Sequence, residues 1–263
     1  MTFVLPQTPG EALLMLVPAI TLLIGIVHLL MPRTILKLYG LEPKPGKPDA
    51  IAEIRASYGG VLIAVGLGAL LFQEPLALQP GLNHVLALGW LLAFVGYLFQ
   101  IIFDGARSRG VVLRFLFAGA LGILGSWSSE VVDIYMGIPI YTADMIFMLV
   151  ALLTTLLGAV AFFVPGVMLK LIRLQPVESN PAAKGEIRGL LAGFFLAIGI
   201  IYIAVPSARL FVGLELGAVW MLTSVGRLVS VIFDRASSLY NWLAIIFEFA
   251  VGAVLLGFIF GYI

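Results

Sequence analysis

Arg227 and Glu248 stand out as residues that could do chemistry, because both interrupt long apolar stretches. Each lies roughly nine residues from the turn between the last two predicted helices, which at ~1.5 Å per residue is ~13 Å of depth. A charge buried that far in a bilayer costs at least ~2.5 kcal/mol on insertion scales, so it must be paired, hydrated or used. A guanidinium beside a carboxylate can be a structural ion pair, a grip on a polar ligand or part of a proton path. Ser230 and Asp234 share a helix face with Arg227, at steps of three, four and seven residues. Tyr97, Gln100 and Asp104 form a similar stripe on an earlier helix. Arg55 and Arg188 open neighbouring helices at comparable depth, so Arg55–Asp104 and Arg188–Asp234 are the expected pairs, each locking one half of the chain. Glu215 sits about eight residues inside the other end of the Arg227 helix. It is expected to be protonated and shielded, paired with Arg209, or exposed to an outer cavity.

Other chemistry is scarce. The chain has no cysteine, which removes disulfides, thiolate catalysis and Cys-ligated metals. His28 and His84 are too far apart in depth to share a metal, and each reads as a packed or interfacial residue. There is no His-x-x-x-His, no Gly-x-Ser-x-Gly, no P-loop and no dinucleotide fingerprint. No cofactor is expected, and a net charge of +1 argues against nucleic acid as a partner.

These residues must be positioned by membrane helices. Of the 263 residues 62% are hydrophobic and 11% charged, against about 45–50% apolar and about 25% charged in soluble domains. A bilayer core needs about 20 apolar residues per helix. Eight such runs are expected, at 12–31, 52–72, 84–103, 110–127, 146–165, 185–205, 208–233 and 239–262. All must be helical, since lipid offers no partner for free backbone groups. The opening stretch lacks a positive n-region and reads as the first helix, not a signal peptide. Fourteen of the 15 Lys and Arg fall in or beside the connections after the first, third, fifth and seventh helices. The expected setting is therefore a multi-pass protein of the cytoplasmic (inner) membrane with both termini on the outer side. The outer loops carry Glu74, Glu130, Asp133 and Asp144.

The chain also repeats itself. Shifted by 133, residues 21–69 match 154–202 without a gap at 18 of 49 positions, including Pro32/Pro165, Lys37/Lys170, Glu53/Glu186, Arg55/Arg188 and Gly60/Gly193. Shifted by 130, residues 90–104 match 220–234 at 8 of 15 positions, including Trp90/Trp220, Gly96/Gly226 and Asp104/Asp234. Apolar bias alone would not align prolines and charges. The expected architecture is an all-α integral membrane protein of two parallel four-helix repeats, 1–133 and 134–263, related by a pseudo-twofold along the membrane normal. Small residues recur every fourth position in the second and sixth helices (Ala52, Ala56, Gly60, Ala64, Gly68; Gly185, Gly189, Gly193, Ala197), which suits close packing of helix backbones. Trp90, Trp127, Trp220, Trp242 and Tyr58 include candidate interfacial anchors.

The stretch Ala52-Glu53-Ile54-Arg55-Ala56-Ser57-Tyr58-Gly59-Gly60, following the Leu38-to-Leu41 helix exit, carries a family resemblance. So does Gly226-Arg227-Leu228-Val229-Ser230 with Asp234 and Glu248. Together they resemble the bacterial family named domain of unknown function 4345, whose members are typically one four-helix unit; here two tandem copies would cover nearly the whole chain. Each copy departs from the pattern: Tyr97 stands where the second half has Arg227, and Leu191 and Ala192 where the first has Tyr58 and Gly59. The resemblance implies architecture and no activity. The expectation is a non-enzymatic accessory or lipid/apolar-ligand-binding subunit, with membrane lipids and a membrane-protein partner or second copy as partners. The alternative is a small-molecule or proton-coupled transporter using Arg227 and Glu248. A lipid-modifying enzyme comes last, for want of a nucleophile–base or metal constellation. The Arg227–Glu248 pair, having Tyr97 and Ala118 (or Phe117, in a register shifted by one) at the matching places, is expected to place any site in the second half.

Overall fold

The computed structural model describes residues 9–72, 82–127, 141–177, 180 and 182–263. Glu74, Glu130, Asp133 and Pro181 lie outside them, as does the side chain of Trp127.

The fold is helical. The first helix, α1 (Pro9–Leu30), stops at Met31 and turns through 104° into α2 (Pro32–Tyr39). Pro32 causes the break: it lacks an N–H and pushes the preceding residue out of the helical region, and Met31 has φ −123° and ψ 48°. After the short strand β1 (Leu41–Pro43), the chain re-enters through a 3₁₀ turn (Pro48–Ile51), a π-helical stretch (Ile54–Gly60) and α3 (Val61–Leu71). Then come α4 (Leu82–Phe103) and α5 (Arg109–Trp127). The second half follows the same order: α6 (Thr142–Phe163), α7 (Pro165–Leu171), β2 (Leu174–Pro176), α8 (Ala182–Glu186), a π-helical stretch (Ile187–Leu191), α9 (Ala192–Ala204), α10 (Arg209–Phe233) and α11 (Leu239–Ile259). Seven helical spans among the described residues are long and apolar enough to cross a membrane, and the bent α1–α2 pair passes the same test when taken together. Many large apolar side chains point outward, including Leu23, Leu156, Ile232 and Phe249. Such a surface suits lipid, not water.

Both E-I-R motifs enter their helices through π-helical turns. A straight α-helix is the sequence expectation there. The π turn carries one extra residue, and it occurs in short pieces, often at functional sites.

The small-residue stripes bring backbones together. A side chain at Gly60 would strike the backbone of Leu222 and Thr223 on α10; one at Gly193 would strike Gly89 and Ala93 on α4. Gly226 abuts the Arg55 carbonyl, and Gly96 abuts that of Arg188. The second span of each half thus packs on the α4 or α10 helix of the other half. β1 and β2 pair antiparallel, Leu41 with Pro176, Glu42 with Gln175 and Pro43 with Leu174. The Gln175 amide donates to Glu42 at 2.9 Å at the centre of that pair.

Candidate functional site

The crossing of the second spans decides which charges meet. Arg55 donates from Nε to Asp234 Oδ2 at 2.7 Å and from Nη2 to Oδ1 at 3.2 Å. Arg188 pairs with Asp104. The expected partners, Arg55 with Asp104 and Arg188 with Asp234, are therefore exchanged. The reason is the close approach at Gly226 and Gly96, which carries each arginine to the far half's helix. Both arginines also cap a carbonyl of their own half, Leu29 for Arg55 and Phe162 (3.1 Å) for Arg188. Ser230 donates to Asp234 at 2.7 Å. Asp234 lies just beyond α10. Burial would raise its pKa, but the hydrogen bonds from Arg55 and Ser230 and the charges of Arg55 and Arg33 outweigh burial and hold its carboxyl below the usual carboxylate range.

Arg227 and Glu248 do meet. Arg227 Nε lies 2.9 and 3.0 Å from the two Glu248 oxygens. The same guanidinium also grips Glu53, Nη1 to Oε1 at 2.6 Å and Nη2 to Oε2 at 2.9 Å. All three side chains are nearly inaccessible. The cluster thus draws on both halves of the chain: Glu53 of the first half joins the pair expected in the second. Glu53 is legible in the sequence as half of the identical Glu53/Glu186 pair and as part of the Ala52–Gly60 stretch, but not as a partner of Arg227. Its partner in three dimensions is 174 residues away, and no local spacing reports that.

Arg173 adjoins this cluster, 3.7 Å from Glu53. It also pairs with Asp49, donates to Asn241 at 2.8 Å and stacks 3.8 Å over the Tyr240 ring. Ser238 caps α11 by accepting from the Asn241 amide and donates to Asp49. Arg173 has φ 59°, in the left-handed region. The residue 133 earlier is Gly40, with φ 65°. Glycine takes that conformation freely, whereas other residues pay about 1–2 kcal/mol. Arg173 is held there by its four partners. None of Asp49, Arg173 and Asn241 was singled out from sequence as a site residue.

The matching place in the first half is built differently. Glu186 accepts from the Tyr97 hydroxyl at 2.8 Å and forms an ion pair with Arg114. His28 donates from Nδ1 to the Ile24 carbonyl and accepts at Nε2 from Tyr39, at 2.7 and 2.6 Å, and its ring stacks on Tyr58. His28 is a satisfied core residue. Arg114 lies 6.0 Å over the Tyr39 ring.

This contrast explains a cavity. Shifting by 133 or 130, the bulky Tyr39, Tyr58 and Arg114 correspond to Ile172, Leu191 and Ala244. All three smaller residues line an open space of ≈ 270 Å³ in the second half. Glu53, Ser57, Arg227, Tyr240 and Glu248 form its polar end; Leu157, Phe195, Val219, Trp220 and Phe247 are among its apolar walls. The space lies between α6–α7 and α10–α11, beside exposed Leu171 and Phe247. An apolar slot with a charged end next to a lipid-facing surface can take an amphipathic molecule, whose chain replaces no hydrogen bonds and whose head meets the charges.

Glu215 stands apart, buried in α10 with neither carboxyl oxygen hydrogen-bonded among the described residues. Arg209 donates to the Tyr202 carbonyl at 3.4 Å.

Residues 142–259 match the family described as Domain of unknown function (DUF4345). The matched segment runs from α6 to the end of α11 and holds Arg173, Arg227, Asp234 and Glu248. Glu53, Asp49 and Arg55 lie outside it. No curated protein and no solved structure matches the chain.

Proposed function

We propose that this protein binds an amphipathic, lipid-like ligand within the membrane, with the chain in the α6–α11 cavity and the head at Glu53, Arg227 and Glu248. The observation that carries this reading is the cavity itself. Its walls are mostly apolar, with Thr154 and Thr223 among them, it opens beside the exposed Leu171 and Phe247, and one end holds a buried ionic cluster. At ≈ 270 Å³ it falls just below the ~300–1,000 Å³ of most small-molecule sites, which suits one chain segment with the rest left in lipid. The role is that of a non-enzymatic binding or accessory subunit. Native mass spectrometry on protein extracted in progressively milder non-ionic detergents tests it. A retained lipid-sized mass that Ala244→Phe removes supports the reading. No retained or rebound amphiphile under any condition overturns it.

The same reading takes the chain as two tandem copies of the DUF4345 unit, 1–133 and 134–263, with eight spans, in a bacterial inner membrane with both termini outside. Its support is the recurrence of contacts at one pair of offsets. Trp90 donates to Thr21 at 2.9 Å, and Trp220 to Thr154 at 3.2 Å. Gly25 abuts Ile63 and Gly158 abuts Leu196, while Gly122 abuts Leu91 and Gly252 abuts Met221. The basic connections between spans support this orientation.

A proton-coupled carrier is the second reading, favoured by Glu215. An ionised carboxylate buried without a partner is costly, so Glu215 is read as a carboxylic acid, and it shares α10 with Arg227. Proton flux in proteoliposomes that Glu215→Gln or Glu248→Gln abolishes, with folding intact, would favour it over simple binding.

A further inference from the structure

We infer that the ligand carries a positively charged ammonium head; this rests on the amphipathic-ligand reading above. The argument begins with donors and acceptors. Arg227 spends Nε on Glu248 and both terminal nitrogens on Glu53, in a fork-to-fork arrangement. Three of its five N–H groups are thus spent, and an anionic head that reached the other two would sit against both carboxylates. The carboxylates keep acceptor capacity, because an ionised carboxylate has about four lone-pair sites and donates nothing. Ser57 takes one of these, donating to Glu53 Oε2 at 3.1 Å.

Charge points the same way. With both carboxylates ionised, Glu53 and Glu248 set two negative charges against the one positive charge of Arg227 at the cavity's polar end. Arg173, the next cation, is shared between Glu53, at 3.7 Å, and Asp49, so three carboxylates face two guanidinium groups. The ionised cluster is thus one positive charge short, in surroundings where such an imbalance is expensive. Aromatic faces add to this. Trp220 and Phe247 line the cavity, packed edge to face at 5.7 Å between centroids, and Tyr240 borders it. Carboxylates with aromatic walls recognise ammonium groups, through charge and through the ring quadrupole. In the first half the place matching Ala244 carries the protein's own cation, Arg114, which pairs with Glu186. A ligand ammonium would restore to the second half the charge that Arg114 supplies in the first.

The test compares dodecylammonium, dodecanol and dodecanoate binding to the delipidated full-length protein in a non-ionic detergent, read by tryptophan fluorescence and calorimetry. Dodecylammonium is expected to bind about tenfold more tightly than dodecanol, with dodecanoate weakest. Glu248→Gln is expected to abolish the preference. Because that variant disturbs the Arg227 pair, Phe247→Leu serves as a second one: it leaves every charge in place, and the preference is expected to fall about threefold. Equal or tighter binding of the alcohol or the carboxylate overturns the ammonium inference and leaves the amphipathic site standing. Binding of none of the three overturns both.

Discussion

Arg55 closes on Asp234, 179 residues away, at 2.7 Å, and Arg188 makes the reciprocal bridge to Asp104. These two bridges tie the halves of the chain to each other, not each half to itself. A double-mutant cycle reads this directly. Arg55→Ala with Asp234→Ala should show a coupling of about 1–3 kcal/mol, while Arg55→Ala with Asp104→Ala should be additive within about 0.5 kcal/mol. Unfolding in detergent with increasing denaturant is the measurement.

The Asp234 bridge also sets a pH window. Its carboxyl is held below the ordinary value of 3.8 in the folded protein, so the unfolded chain takes up the proton first as pH falls. The stabilisation is present above 3.8 and is lost as pH drops through the lower folded-state value. The stability difference between the native protein and Asp234→Asn should therefore be constant from neutral pH down to about pH 5 and should shrink below about pH 4. Acid titration of both proteins, followed by circular dichroism, tests this.

Removing Arg227 should be far worse than removing either of its carboxylates. Arg227→Met leaves Glu53 and Glu248 facing each other without the cation between them, a loss of about 3–5 kcal/mol. Adding Glu53→Gln and Glu248→Gln to Arg227→Met should restore much of it, because neutral amides need no counter-charge. Thermal denaturation of the single and triple variants is the comparison.

Glu215→Val should stabilise the protein by about 1–3 kcal/mol, since it removes a buried carboxyl without a hydrogen-bond partner. Valine is the residue at the matching place in the first half, Val85, which is fully buried. A melting temperature that falls would show that Glu215 has a partner in the working protein.

Arg173→Gly separates backbone strain from contact. Glycine would relieve the left-handed backbone, worth about 1 kcal/mol, but would lose Asp49, Glu53, Asn241 and the Tyr240 stack. Net destabilisation is expected, because two carboxylates lose a cation. Arg235→Gly, at the other non-glycine residue with positive φ among those described, should instead be neutral or stabilising. Denaturant midpoints of the two variants decide it.

The apolar helical character of the chain, the positions of most membrane-length helices and the proximity of Arg227 to Glu248 are legible in the sequence. These follow from local physics: apolar run length, helix period and equal depth on adjacent antiparallel helices. The sequence also marked Gly60 and Gly193 as places of close approach, but Gly96 and Gly226 only as matching positions of the repeat. What it left undecided was which helix each small-residue stripe approaches, since a stripe reports a face and not its partner. Tertiary structure decided that, by crossing the second spans onto α10 and α4. From that crossing came the exchanged Arg55–Asp234 and Arg188–Asp104 bridges and the delivery of Glu53 to Arg227. The cavity was equally invisible from sequence, because it arises where Ile172, Leu191 and Ala244 converge from three separate elements. Volume left between packed helices is a property of their arrangement, and no stretch of chain encodes it alone.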